Sequence, residues 1–493
     1  MPFVSIVFLA CFFPIVFLLY SLFRPITVKN AILLVGSLIF YAYYDVKYLA
    51  FLFFAILVTF CAGLIVEKNR NNMILSKVTV VIALVLNMSM LAVCKYSEFV
   101  TTNINSILMR MGHEDSLLHL PEILLPVGLS FIVFQSSTYL FDLQRGDVKA
   151  EKSILNYALF VSFFPVITSG PILRSKAFLP QIRTREGINF QQFQCCVVRF
   201  LWGVFLKMVI ADRLAIFTDT VYSNLSGYSG FVLLVCAMVY SIQIYADFSG
   251  YSHMAIAIVQ MFGFSVPENF REPYLALNFQ DFWRRWHISL TSWFTDYLYI
   301  PLGGSRRGTF RKYLNIFIVF LVSGLWHGAS WSFVIWGGIH AVYQIVGQIT
   351  RKSRERLADR WGIQRQTVGW RVWQRLFVFI LSTFAWIFFR AGTFDQSILF
   401  LKSLFSTANP WVLFDGTLLT LGMTLADWQI AFVAMEVLLA VSHCRAFNKS
   451  EYALINQSSW IRVAIMEMLL LSVVVFGIYG EGYSASAFIY AGF

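Results

Sequence analysis

The chain has 493 residues, of which 58% are hydrophobic and only 13% charged, and its formal net charge is +12. Soluble domains carry about 25% charged residues, so this composition excludes an ordinary soluble protein. A membrane-spanning helix needs about 20 mostly apolar residues, and the sequence supplies many such stretches, which predicts an all-α integral membrane protein.

Apolar stretches follow one another along the chain, and we predict roughly a dozen spans from them. The first lacks the basic start and the small-residue cleavage site of a signal peptide, so we expect it to be a retained helix. No soluble domain or internal repeat is evident in the sequence. A single membrane domain is therefore expected over residues 1–493, with its catalytic middle at about 120–345, where polar residues within apolar sequence are densest. The predicted spans lie near 3–22, 30–45, 48–66, 77–94, 121–141, 154–171, 196–212, 230–247, 311–326, 329–349, 374–390, 428–443 and 462–480.

The basic residues lie mostly in short connections between the apolar stretches. The positive-inside rule accounts for such clusters, so the net charge does not indicate a nucleic-acid partner. With the N-terminus outside, the first basic connections are cytoplasmic, and the loop 95–120, which contains Glu114 and Asp115, lies outside. We expect residues 351–375 to form a solvated cytoplasmic connector, with a docking site as the alternative.

Two apolar stretches in the middle of the chain are interrupted by polar residues and helix breakers. "FFPVITSGPILR", Phe163–Arg174, contains two prolines, and "YADFSGYSHMA", Tyr245–Ala255, contains Asp247, Ser249 and Tyr251. Broken helices at membrane depth are tolerated where protein or a water-filled cavity covers the backbone. We expect both stretches to break or kink their helices and to line a cavity. At the second stretch, a packed polar kink anchored by Asp247 is the alternative.

"NFQDFWRRWHISLTSWFTDYLYIPLGG", Asn278–Gly304, is too polar and too rich in Trp to cross a bilayer. Because aromatic rings of this kind settle at the headgroup layer, we expect a helix that lies in the membrane interface. An inert amphipathic belt, with a structural role for His287, is the alternative. The residues that one continuous helix would bring together are Asp281 with Arg285, Trp283 with His287, and Arg284 with His287 and Thr291.

"GGSRRG", Gly303–Gly308, has features of an anion site. Glycines permit close approach of the backbone, and the guanidinium groups of Arg306 and Arg307 suit phosphate oxygens. A simple turn between an interfacial and a membrane segment is favoured over a phosphate site.

"SGLWHGASW", Ser323–Trp331, places His327 deepest in apolar sequence among the ionisable residues. Ionisable residues inside a membrane indicate function, and desolvation lowers the pKa of a histidine, which keeps it neutral and suitable as a general base. A hydrogen-bonded core histidine is the alternative here, and it is the expected role of His340. The seven cysteines have no metal-type spacing, so no metal site is predicted.

Several segments together resemble the membrane-bound O-acyltransferase family, which transfers acyl groups from thioesters to hydroxyls. Over residues 30–400 the resemblance is closest to the branch that acetylates bacterial polysaccharides such as alginate. One departure is His253, where relatives usually have Asp. The segments that carry it are "LPVGLSFIVFQSSTYLFDLQRG", "FPVITSGPILR", "YADFSGYSHMAIAI", "FWRRWHISLTSWFTDYLYIPLGGSRRG", "VSGLWHGASW" and "FAWIFFRAGTF".

The resemblance implies a ring of tilted transmembrane helices, with re-entrant and interfacial helices, around a central funnel for a cytoplasmic thioester. It implies that His327 is the catalytic base and His287 the second catalytic histidine. No bound cofactor is expected, and acetyl-CoA is the expected donor. Residues expected to contribute to substrate binding are Arg284, Arg285, Arg306 and Arg307 at the donor's phosphates, together with Trp286, Asp247, Ser249 and Tyr251.

By the same resemblance, the protein lies in the bacterial inner membrane and passes acetyl groups to periplasmic acetyltransferase partner proteins or directly to a polysaccharide. Membrane lipids are its other expected partners. A transporter or channel for an acyl-bearing or lipid-linked molecule is the alternative from another class, although transporters commonly contain inverted repeats. A carrier-protein thioester of the D-alanine type is the alternative donor.

Overall fold

The computed structural model describes residues 1–113, 116–120, 125–448 and 457–479, with the backbone alone at 446–448. Throughout these residues the regular secondary structure is helical, without a strand, which confirms the all-α prediction. Glu114 and Asp115, which support part of the predicted orientation, lie outside the described residues.

The chain divides into two compact units, of which the first comprises Met1–Asn189 and Ala255–Pro267. The second comprises Phe190–Met254 and the described residues from Glu268 onward. The first unit contains α1 Phe13–Leu22, α2 Ile26–Ala42, α3 Tyr48–Lys68, α4 Met73–Arg110, α5 Leu129–Arg145, α6 Ile154–Ser162 and α7 Ser175–Thr184. The second contains α8 Phe190–Phe205, α9 Asp212–Ser223, α10 Phe231–Met261 up to Met254, α11 Phe279–Trp283, α12 Ile288–Phe294, α13 Thr309–His327, α14 Trp331–Ile349, α15 Arg351–Arg360, α16 Val368–Arg390, α17 Phe394–Leu404, α18 Leu425–Asn448 and α19 Ser459–Phe476.

Seven helices within the described residues are long and apolar enough to cross a membrane. Two apolar helices near the N-terminus, Val7–Leu22 and Ile26–Ala42, are shorter. Other predicted stretches form helices that are shorter still, such as α6 with 9 residues, or that carry more polar side chains, such as α14. The multi-pass membrane character is confirmed. The seven helices are Tyr48–Lys68, Met73–Arg110, Phe190–Ser223, Phe231–Met261, Val368–Arg390, Leu425–Arg445 and Ser459–Phe476.

The prediction that a loop starts at residue 95 is wrong, because α4 continues to Arg110 as a helix of 38 residues. Its polar side chains bond to carbonyl oxygens one turn earlier. The Thr101 hydroxyl donates to the Ser97 carbonyl at 2.8 Å, and the Asn103 amide donates to the Phe99 carbonyl at 2.7 Å. Because such side chains can bond within the helix, the polarity of this stretch does not end it.

The predicted break at 245–255 is also wrong, since α10 is one helix of 31 residues. Two of its polar side chains, Asp247 and Ser252, have partners in other segments, Lys207 and Asn269, within a continuous helix. Gly250 permits close contact with α8, because a Cβ there would lie 2.7 Å from the Gly203 carbonyl oxygen. The equivalent Cβ on Gly203 would lie 2.6 Å from the Gly250 carbonyl oxygen.

The predicted break at 163–174 is confirmed, since α6 ends at Ser162 and α7 begins only at Ser175. The intervening apolar residues are buried, including Phe163 and Phe164 at 0% exposure. Whether this segment lines a cavity stays a prediction.

Helices α13 and α14 form a tightly packed hairpin, and the turn after His327 joins them. A Cβ on Gly324 would lie 2.3 Å from the Phe333 carbonyl oxygen, and one on Gly337 would lie 2.3 Å from the Phe320 carbonyl oxygen. Only glycine permits backbones to approach so closely. The Ser330 hydroxyl accepts a hydrogen bond from the Ser332 N–H at 3.2 Å and caps α14.

Candidate active site

His327 is the last residue of α13 and is buried, with 2% of its surface exposed. Its imidazole contacts three aromatic rings. The ring centroids of Trp326, Trp336 and Phe389 lie 4.8, 5.1 and 5.4 Å away, all at steep interplanar angles. Aromatic neighbours from α13, α14 and α16 therefore fix the imidazole from several sides and exclude water from much of its surface.

His287 lies between α11 and α12 and is 1% exposed. Its backbone is left-handed, with φ of 44° and ψ of 54°. Side chains other than Gly, Asn and Asp rarely adopt this region, and such strain clusters at functional sites. The Phe248 ring of α10 packs edge-on against the His287 imidazole, at 4.7 Å between centroids.

The single interfacial helix predicted for 278–304 is therefore wrong, because the helix ends at Trp283 and restarts at Ile288. The predicted ion pair of Asp281 with Arg285 is present at 2.8 Å. Trp283 packs on His340 at 4.9 Å between centroids, in place of the predicted His287. The break also removes the predicted shared face of Arg284, His287 and Thr291, although the Thr291 N–H donates to the His287 carbonyl at 3.0 Å.

The tryptophans of this segment are buried within the protein, and their predicted placement at the headgroup layer stays a prediction. Trp283, Trp286 and Trp293 are 6%, 1% and 6% exposed. Trp286 packs against Trp386 at 4.8 Å between centroids. The segment therefore contributes to an aromatic core around the histidines.

The Trp326 indole joins the two histidines. Its centroid lies 4.8 Å from that of His327 and 6.2 Å from that of His287. Two imidazoles that are forty residues apart in sequence thus lie next to one indole. His340 occupies a neighbouring position, between Trp283 at 4.9 Å and Trp336 at 5.0 Å.

The charge state of His287 follows from its burial. The residue lies outside the seven candidate spans, and desolvation lowers its pKa to about 3. A neutral imidazole has one nitrogen that donates and one that accepts. His287 can therefore orient or polarise a neutral reacting group at physiological pH, and it does not supply a positive charge.

Asp247, a predicted substrate-binding residue, forms an ion pair with Lys207. The ammonium lies 2.8 Å from the Asp247 carboxylate and 2.7 Å from that of Asp212. Lys207 lies in a π-helical segment, Leu206–Ala211. Ser249 is buried, and Tyr251 is half-buried. The carboxylate of Asp247 thus ties α10 to the stretch that joins α8 and α9.

The predicted phosphate-binding arginines differ in their surroundings. Arg285 is half-buried and paired with Asp281, whereas Arg284, Arg306 and Arg307 are exposed. The last two lie on the predicted turn, where Gly303, Gly304 and Gly308 all have positive φ. The favoured interpretation of "GGSRRG" as a turn is confirmed, and a phosphate site there stays a prediction.

Three groups of site residues escaped prediction. Lys207 had a signal in the sequence, because a lysine inside an apolar stretch is expensive to bury unpaired. The ring contacts of Trp336 and Phe389 with His327 had none, since aromatic residues are frequent throughout this chain. Asn269, which bonds to the segment after His287, had no signal either.

His253 also lies in this unit. Its Nε2 is 3.3 Å from the guanidinium of Arg445.

Fold and site together define a multi-pass helical membrane protein with two histidines buried against one indole. A model of the membrane-bound O-acyltransferase family matches residues 33–389. The chain belongs to this family. It is therefore an O-acyltransferase, and its bacterial relatives indicate the inner membrane as its location.

The curated relatives extend the similarity beyond the family model. The chain is 34% identical to a probable alginate O-acetylase AlgI of Pseudomonas putida, over 88% of this chain and 86% of the relative. It is 32% identical to a peptidoglycan O-acetyltransferase of Helicobacter pylori, over 80% of this chain and 78% of the relative. Similarity to a teichoic acid D-alanyltransferase of Bacillus subtilis is 27% and covers 48% of this chain and 63% of the relative.

Proposed function

We propose that this protein transfers acetyl groups from a cytoplasmic thioester, acetyl-CoA, across or within the membrane for O-acetylation of an exported polysaccharide such as alginate. The placement of both His287 and His327 next to the Trp326 indole supports this proposal most directly. Similarity to the polysaccharide O-acetylases extends over most of the chain, whereas similarity to the D-alanyltransferase covers 48% of it. An acetyl donor is therefore favoured over a D-alanyl carrier thioester.

In the proposed reaction, His327 acts as general base. Its neutral imidazole takes the proton from an acceptor hydroxyl while the hydroxyl oxygen bonds to the thioester carbonyl carbon. The carbon–sulfur bond then breaks, and the thiolate of coenzyme A leaves and takes the proton from the imidazolium. A base of this kind typically contributes about 10²–10⁴-fold. No cofactor is consumed, because the proton passes from hydroxyl to thiolate.

His287 would assist as a neutral hydrogen-bond donor. The negative charge that develops on the carbonyl oxygen is stabilised when a donor is already in place, and loss of one such donor typically costs about 10²–10³-fold in rate. Burial among aromatic rings strengthens the interaction, because the surroundings have a low dielectric constant. The left-handed backbone of His287 fixes its direction of approach.

The remaining proposed substrate contacts are secondary to the two histidines in this mechanism. Arg284, Arg306 and Arg307 are exposed and have free surface for the phosphates of coenzyme A. The immediate acceptor in this proposal is a hydroxyl of the polysaccharide or of a periplasmic acetyltransferase partner. Trp286, Ser249 and Tyr251 would contribute to the shape of the acetyl site.

The test uses purified protein in vesicles with labelled acetyl-CoA on one side and an alginate oligosaccharide, with or without periplasmic partner protein, on the other. Labelled ester is expected in the acceptor, and unlabelled acetyl-CoA should compete. A D-alanyl carrier thioester that outcompetes acetyl-CoA would instead favour the alternative donor. Movement of an intact acyl-bearing molecule without ester formation would favour the transporter.

A further inference from the structure

His287 needs neighbours that stabilise its unusual backbone. Among the described non-glycine residues, only His287 and Glu272 have positive φ. His287 also lies between two short helices, α11 and α12, where its carbonyl accepts the first helical hydrogen bond of α12, from the Thr291 N–H at 3.0 Å. That bond does not require a positive φ. Contacts from another part of the chain are therefore candidates for the support of this conformation.

Asn269 supplies that support. It is 0% exposed, and its backbone carbonyl accepts from the Ile288 N–H at 2.9 Å. Its side-chain Oδ1 accepts from the Ser289 hydroxyl at 2.6 Å and from the Ser289 N–H at 3.4 Å. Its Nδ2 donates to the Ser252 hydroxyl of α10 at 3.2 Å. One side chain thus links the segment after His287 to the helix whose Phe248 packs on the imidazole.

The residues after Asn269 hold the other side of the same turn. The Arg271 N–H donates to the Arg285 carbonyl at 3.0 Å, and the Arg285 guanidinium donates to the Arg271 carbonyl at 3.3 Å. Phe270 packs on Trp286 at 5.1 Å between ring centroids. Segment 269–271 therefore contacts the chain immediately before and immediately after His287.

We propose that Asn269 is a positioning residue of the transfer reaction, which holds His287 in its left-handed backbone and so directs the imidazole toward the reacting carbonyl. This inference rests on the proposed function, because it assumes that His287 acts in the transfer. Oδ1 is the essential atom, because it accepts two hydrogen bonds from Ser289, the second residue of α12. Without it, the backbone at 287 relaxes toward conformations that an L-residue prefers.

The experiment compares acetyl transfer by Asn269→Ala, Asn269→Leu and Asn269→Asp in the full-length protein in vesicles. Since a displacement of about 1 Å costs on the order of 10²-fold in rate, the Ala and Leu variants should lose at least about tenfold in kcat, with KM for acetyl-CoA nearly unchanged. Asn269→Asp retains an acceptor oxygen for Ser289 and should recover most of the rate. Each rate is normalised to folded protein, measured by size-exclusion chromatography and thermal unfolding.

Asn30→Ala is the matched control. Asn30 is also a buried asparagine, at 1% exposure, with hydrogen bonds to the Asn156 side chain and the Ile182 carbonyl. It belongs to the first unit, whereas both catalytic histidines belong to the second. Its loss should lower thermal stability while leaving kcat per folded molecule within about twofold, as expected of an independent site.

Three outcomes overturn the inference. Asn269→Ala could keep kcat per folded molecule within about twofold of wild type, or Asp could fail to do better than Leu. A His287→Gly background gives a further check, because glycine adopts positive φ without support; an equal loss from Asn269→Ala in that background would also overturn it. If His287→Ala alone keeps the full rate, the role of His287 in the proposed function fails instead.

Discussion

Replacement of one of two adjacent glycines in α14 should disable the protein, and replacement of the other should not. A Cβ on Gly337 would lie 2.3 Å from the Phe320 carbonyl oxygen and 3.0 Å from its carbonyl carbon. A Cβ on Gly338 would meet only a Leu321 methyl group, at 3.8 Å, which is ordinary contact. The two glycines are adjacent residues of the same helix.

The magnitude follows from the shortfall at Gly337. Carbon and oxygen approach to about 3.3 Å in close contacts, so Gly337→Ala needs about 1 Å of separation between α13 and α14. Overpacking of this kind costs about 1–3 kcal/mol, partly offset by about 1 kcal/mol because Ala favours a helix over Gly. His327 lies on α13 beyond Phe320, so a similar displacement should lower kcat on the order of 10²-fold.

The assay is thermal unfolding of the purified protein in detergent, together with acetyl transfer in vesicles. Gly337→Ala should lower both the unfolding temperature and kcat. Gly338→Ala should keep kcat and leave stability unchanged or raised by up to about 1 kcal/mol. Equal behaviour of the two variants would refute the close packing of the hairpin and the placement of His327 that depends on it.

Further predictions concern the buried polar groups. Lys207→Met should destabilise the protein by about 3–5 kcal/mol, because it leaves the buried carboxylate of Asp247 and the half-buried carboxylate of Asp212 without their cation. Thermal unfolding measures this, and Lys207→Met with Asp247→Asn should lose less. His287→Ala, which removes the donor, should lower kcat on the order of 10²–10³-fold in steady-state assays with little change in KM for acetyl-CoA. An unchanged kcat would exclude a role in stabilising the transition state. Burial lowers the pKa of His287 in the folded protein to about 3. Below the usual histidine pKa near 6.5, the unfolded chain therefore binds a proton at this residue, whereas the folded chain does not. The free energy of unfolding should thus fall by about 1 kcal/mol per pH unit as pH decreases from 6.5 toward 3. His287→Gln should flatten that part of the stability profile; an unaltered slope would mean that other groups cause it.

Local features of the sequence predicted much of the molecule. Membrane helices depend on runs of apolar residues, so hydropathy was sufficient to predict a multi-pass helical protein. His327 and His287 stood out because ionisable groups within or beside apolar sequence need a reason to be there. The pairing of Asp281 with Arg285 was predictable from their spacing of four residues, which the turn after α11 preserves.

Features that depend on distant partners were not predictable. The polar residues of α10 suggested a break, yet Lys207 satisfies Asp247 and Asn269 satisfies Ser252, so the helix stays continuous. The break at His287 is the opposite case, because the segment around Asn269 supports a conformation that helical spacing alone does not reveal. The tryptophans near His287 have the composition typical of a membrane interface, yet in the structure they pack against aromatic rings within the protein.

The most direct test of the account measures single-turnover acetyl transfer by His327→Gln, with labelled acetyl-CoA and a polysaccharide acceptor, against His119→Gln as an exposed control outside the site. Gln preserves polarity and approximate size but cannot act as a general base. The rate should fall by about 10²–10⁴-fold in folded His327→Gln and stay unchanged in the control. Transfer by His327→Gln at the wild-type rate would contradict the assignment of His327 as the base.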